Sequence, residues 1–86
     1  MNQSVQEVGG SVLLISQFTL VGDCSGGHRP SFVTAAEPGK AADLVEAVGA
    51  MLRVTHGLTV ASGVFGAMME VSLVNHGPVT LIVERT

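Results

Sequence analysis

"PGKAADLVEAVGAMLRVTHG", residues 38–57, is the stretch on which the fold turns. Apolar residues recur at Ala41, Leu44, Val45, Val48, Met51 and Leu52, at intervals of three and four, while Lys40, Asp43, Glu46 and Arg53 fall opposite. That spacing predicts one amphipathic helix. Pro38 suits a first helical position, where a missing N–H loses nothing, and Gly57 stands where a left-handed residue closes a helix. Glu37, just before the proline, is a poor N-cap by residue type.

Strand-like text lies on both sides. "SVLLISQF", residues 11–18, is a compact, nearly continuous apolar run, which predicts a strand covered on both faces. "LTVASGVFG", residues 58–66, reads as a short strand and a glycine-bounded turn. "AMMEVSLVN" and "VTLIVERT", residues 67–75 and 79–86, read as the last two strands. In the first, Met69, Val71 and Leu73 share a face against Met68, Glu70, Ser72 and Val74; in the second, Val79, Leu81 and Val83 oppose Thr80, Ile82 and Glu84. Residues 1–10 are polar, end in Gly9-Gly10 and read as a loop or frayed lead-in, and residues 19–36 read as a long surface loop. The order strand, loop, helix, strand, strand makes the chain α+β, as one domain over residues 1–86.

Composition sets a tension. Of the 86 residues 47 % are apolar and only 13 % charged, whereas a domain this small buries only about 60–65 % of the surface its unfolded chain exposes. Apolar surface left over calls for a partner subunit or a further segment of chain. Net charge is −3 and the four basic residues are scattered, which argues against an independent nucleic-acid binder such as a DNA-binding domain. One cysteine, Cys24, suits a reducing compartment. No apolar run approaches the roughly 20 residues that span a membrane, and no signal-peptide layout opens the chain, so a soluble cytoplasmic protein is expected.

Several motifs compete for chemistry. "GDCSGG", residues 22–27, resembles a protease "GDSGG", but Cys24 shifts its register and the chain is too short for a two-barrel fold. Cys24 has only His28 nearby to lower its pKa. His28, His56 and His76 are too far apart in sequence to pair on one helix face, so no metal is expected. "SQFT", residues 16–19, brings two hydroxyls and a carboxamide to the end of a strand, where they either face a cleft or merely satisfy backbone groups. "NHGPVT", residues 75–80, reads either as a hairpin corner or as bare Gly-Pro backbone offered to a ligand.

Together, "SQFTL" at 16–20, "RPSF" at 29–32 and "GVFGAMMEVSLVNHGPVT" at 63–80 resemble the D-aminoacyl-tRNA deacylase family, formerly called D-tyrosyl-tRNA deacylases, along the entire chain. The resemblance implies a mixed or antiparallel, barrel-like sheet with one long helix, in a homodimer. It implies an editing enzyme without cofactor that hydrolyses D-aminoacyl-tRNA, and glycyl-tRNA mischarged on tRNA-Ala, while rejecting L-substrates. The partner would be the 3′ end of aminoacyl-tRNA. Ser16, Gln17, Phe18 and Thr19 would grip the ester, their N–H groups stabilising an oxyanion. Asn75, Gly77 and Pro78 match a Gly-cis-Pro motif inserted into the other subunit's site, and Ala35 the small residue bordering the adenine pocket. Arg29 and Phe32 would flank that pocket without an assigned role.

In the family, hydrolysis leans on the tRNA 2′-hydroxyl. Thr19 is the second candidate, as a nucleophile, since no base accompanies it in the sequence. Two departures stand out: His76 replaces the family's usual Asp, and Met1-Asn2 matches an internal "MN" of the family. The resemblance therefore covers only the family's C-terminal portion, without the "QRV"-type strand whose Arg braces Gly-Pro. That leaves a truncated or alternatively started chain as the expectation, and a second functional reading, a non-catalytic dimerising β module.

Overall fold

The computed structural model describes residues 3–85; the Met1-Asn2 match and the last residue of the final expected strand lie outside them. Strand β1 (Ser11–Leu14), a 3-10 turn (Phe18–Val21), helix α1 (Pro38–Val54) and strand β2 (Thr59–Ser62) follow in order. The chain is α+β, but β1 and β2 pair in parallel, Val12 beside Val60 and Leu14 beside Ser62. Parallel neighbours need a crossover, and α1 supplies it. The antiparallel, barrel-like closure is not formed among the described residues, whose sheet has two strands.

Helix α1 starts where the sequence places it, and the reading of Glu37 is corrected. Its carboxylate accepts from Gly39 N–H at 2.8 Å and Lys40 N–H at 3.2 Å, while its carbonyl accepts from Ala41 N–H at 2.9 Å. Pro38 has no N–H, so one residue satisfies every amide of the first turn that needs a partner. Glutamate manages this because its longer stem reaches two successive amides. Glu37→Ala is expected to cost about 1 kcal/mol of helix stability, read as a lower urea midpoint with unchanged slope. At the other end Gly57 takes φ +64° as expected, and Leu58 N–H returns to Leu52 C=O at 3.0 Å.

The helix covers one face of the sheet. Ala41, Ala42, Val45 and Leu52 are half-buried, and Gly49 is the one buried residue among those described. Val12, Leu14 and Val60, which share a face by the pleat, are half-buried too, whereas Leu13 on the opposite face is 56 % exposed. Cover on both faces of the first strand is thus not found, since Leu13 is left exposed. The expected apolar stripe also splits: Leu44, Val48 and Met51 remain exposed and line a shallow groove of about 200 Å³. Two strands are too narrow to cover the whole stripe.

Residues 67–85 depart most from expectation. They form no strand and no ladder, so the last two expected strands and their hairpin are absent here. The alternation is still visible in the first, with Met69 and Val71 at 40 % and 45 % exposure against 102 % and 92 % for Met68 and Val74. Met69 packs over Gly63, whose missing Cβ would lie 3.1 Å from its sulfur. Near the start, residues 3–10 form a hydrogen-bonded turn rather than a frayed lead-in, closed by Gly10 N–H to Val5 C=O at 2.9 Å. No apolar side chain among the described residues is fully buried, in keeping with the apolar excess read from composition.

Candidate functional site

β1 ends at Leu14, two residues short of the polar group that the sequence singles out. Ser16 and Gln17 leave the strand, and Phe18 and Thr19 open the 3-10 turn. Leu20 N–H reaches Gln17 C=O at 3.3 Å and Gly22 N–H reaches Thr19 C=O at 3.0 Å. None of the four N–H groups of residues 16–19 has an acceptor among the described residues. A backbone amide left free at a turn is a ready donor to a ligand oxygen.

The loop behind this turn is more ordered than a featureless surface loop. Asp23 and Ser31 exchange both backbone hydrogen bonds at 2.8 Å, an antiparallel bridge that closes residues 24–30 into a tip. Cys24, His28 and Arg29 lie exposed on that tip. Beyond the bridge, Phe32 meets Phe18 edge-to-face with ring centroids 5.0 Å apart. Gly22 makes room for this contact, since a Cβ there would lie 2.9 Å from Phe32 Cε1 and 3.1 Å from the Thr19 carbonyl. The turn after Phe32, closed by Ala35 N–H to Phe32 C=O at 3.0 Å, holds Ala35 half-buried.

The aromatic pair therefore draws the 16–19 turn and the Ala35 turn together. No hydrogen bond among the described residues links Asn75, Gly77 or Pro78 to residues 16–19. The Gly77-Pro78 peptide bond is cis, and Gly77 takes φ +130°, a conformation that side-chain-bearing residues rarely adopt. A Cβ at Gly77 would also lie 3.3 Å from Val79 N.

Sequence reasoning missed Gly22, whose signal is its place directly after the four-residue turn, and the closure of the loop by Asp23. Asp23 Oδ1 accepts from Ser25 N–H at 2.9 Å. The Ser25 hydroxyl and this amide hold the Asp23 carboxyl below its usual range. Depression in the folded state means that the contribution is present above the unfolded pKa, about 4, and is lost as pH falls through the lower folded value. The Ser25 amide shift should therefore titrate with a midpoint below the ordinary aspartate value, whereas in Asp23→Asn it should not titrate there.

No His or Asp is hydrogen-bonded to the Ser16 or Thr19 hydroxyl among the described residues. Groups of three or more His, Cys, Asp or Glu that could hold a metal are absent among them as well. No described helix is long and apolar enough to cross a membrane.

The chain is similar to D-aminoacyl-tRNA deacylases: 58 % identical over 86 residues to that of Thermus aquaticus, 62 % over 84 to that of Heliobacterium modesticaldum, and 57 % over 84 to that of a Geobacillus species. These matches take in 98–100 % of the chain and 55–56 % of each relative. The family model described as D-Tyr-tRNA(Tyr) deacylase matches residues 1–84, and the chain belongs to that family. It spans a little over half the length of the curated relatives it matches.

Proposed function

We propose that the chain carries the ester-gripping half of a D-aminoacyl-tRNA deacylase site and hydrolyses the bond between a D-amino acid, or glycine misplaced on tRNA-Ala, and the terminal adenosine. The observation that carries this reading is the set of unengaged N–H groups on residues 16–19, beside Phe18, Phe32 and Ala35. As water adds to the ester carbonyl, negative charge grows on its oxygen. Fixed amides aimed at that oxygen stabilise it more than they stabilise the neutral ester. Water's proton passes to the adjacent 2′-hydroxyl of the tRNA as that hydroxyl gives its own proton to the departing ribose oxygen, since no side-chain base is hydrogen-bonded to Ser16 or Thr19 among the described residues. The bond to the ribose oxygen then breaks, releasing free D-amino acid and tRNA.

In this reading Asn75, Gly77 and Pro78 supply chiral selection. With no hydrogen bond tying them to residues 16–19 among the described residues, the Gly-Pro corner is delivered by a second subunit, in a cytoplasmic homodimer. The apolar surface left exposed by a single chain supports such a partner.

Incubation with D- and L-tyrosyl-tRNA tests the proposal: the D-ester is cleaved and the L-ester spared, and equal cleavage of both, or of neither, refutes it. Pro78→Ala is expected to raise cleavage of the L-ester about tenfold, the loss of one modest steric discrimination, while slowing D-cleavage less. A variant with undiminished selectivity removes Pro78 from the filter.

A second reading, a non-catalytic dimerising module, draws on the absence of any fully buried apolar side chain among the described residues. A stable dimer that binds no tRNA even at low salt, where phosphate contacts are strongest, would favour it.

A further inference from the structure

The outer edge of β2 is occupied by a side chain. Gly63 N–H donates to Leu14 C=O at 3.1 Å, and Leu14 stands beside Ser62 in the parallel register. Backbone groups alternate along a strand, so Ala61 and Gly63 turn theirs toward β1 while Val60 and Ser62 turn theirs away. The Val60 carbonyl therefore faces the open edge. Arg53, in the last turn of α1, donates from Nη2 to that carbonyl at 3.0 Å and reaches Ser62 Oγ at 3.4 Å. A cleft of about 300 Å³ continues from Arg53 past Ser62 to Phe65.

An open edge is a template for another strand unless something blunts it. The same chain carries a segment suited to that template. Residues 79–83, "VTLIV", hold no charge and no proline, and four of the five are β-branched strand formers. They make no ladder hydrogen bond, and Leu81, Ile82 and Val83 are 73 %, 84 % and 93 % exposed. Within one chain, the guard and the unpaired segment coexist, so the segment does not occupy its own edge.

We propose that Arg53 is an edge guard that keeps β2 closed to strand addition, and that the strand it holds off is residues 79–83 of a second copy of this chain. An incoming strand must place an N–H on the Val60 carbonyl, in the space the guanidinium fills. The guard is competitive, because it is itself a hydrogen bond to the same acceptor. Removing a charged donor of this kind favours association by roughly tenfold or more.

Amide exchange separates this event from simple unfolding. In the unaltered chain, the amides of Ala61 and Gly63 are protected by β1 and those of Val60 and Ser62 exchange freely. Arg53→Ala is expected to raise the association constant in light scattering about tenfold and to protect Val60 and Ser62 in a concentration-dependent way, with Ala61 and Gly63 still protected. Adding Leu81→Lys should reverse both changes. Association unchanged from the parent chain, protection independent of concentration, or association that survives Leu81→Lys overturns the proposal. If Arg53→Ala loses protection at Ala61 and Gly63 and so has unfolded, Arg53→Lys decides. It keeps the stem and charge but loses the planar fork, and is expected to give a smaller gain of the same pattern; no gain at Val60 and Ser62 overturns the proposal.

Discussion

Phe18→Pro is expected to lower kcat on D-tyrosyl-tRNA by about 10²–10³-fold below that of Phe18→Ala, the loss typical of one oxyanion donor. The two variants share the loss of the ring and of its contact with Phe32, and differ in the N–H. Proline fits the backbone at this position. Phe18 is the first residue of the 3-10 turn, and Gln17 before it has φ −151° and ψ 86°, outside the helical region that a following proline disfavours. No hydrogen bond among the described residues uses the Phe18 N–H, so none is broken by removing it. A difference in single-turnover rate between the two variants, with matching circular dichroism, therefore reports the amide alone. Equal rates would remove the Phe18 amide from the site and leave those of Ser16, Gln17 and Thr19 to carry the proposal.

The helix was legible because its information is local. The three-and-four spacing, Pro38 at the start and Gly57 at the end each act within a turn or two, and α1 begins and stops where they indicate. β2 was legible for a similar reason, with β-branched residues closed off by glycines. Pairing was not legible. Alternation in residues 67–75 names the face of a strand, but a strand exists only where another backbone takes its hydrogen bonds, and sequence parity does not identify that backbone. The same limit misread β1: an apolar run states how much cover a strand tolerates, not how much it receives. The candidate site divides in the same way. Residues 16–19 were read from their place after an apolar run, while Gly22 was passed over because its function is the absence of a methyl group beneath Phe32.

Gly49 carries that lesson to the helix and sets two substitutions against each other. It sits inside the apolar stripe, where a count of apolar side chains gives it no weight, yet it is the one buried residue among those described. It is where α1 approaches β1: a Cβ added there would lie 3.4 Å from Leu14 Cδ2 and 3.5 Å from Arg53 Nη1, ordinary contact with two movable side-chain ends. Alanine therefore fits, and since glycine in a helix interior is about 1 kcal/mol worse than alanine, Gly49→Ala is expected to stabilise the chain by about 0.5–1 kcal/mol. Leucine needs three more carbons in a space already bounded by Leu14. Gly49→Leu must lift the helix from the strand and is expected to cost about 1–3 kcal/mol, the usual range for overpacking. Against a total stability that for a domain of this length is about 4–13 kcal/mol, that loss is large. Urea titration should move the midpoint up for alanine and down for leucine at a common slope. A fall with alanine would mean that Leu14 cannot yield and that helix and strand are in tighter contact at this point. A tolerated leucine would mean that α1 is free to lift, and that the parallel pair rather than the helix–sheet contact holds this α+β unit together.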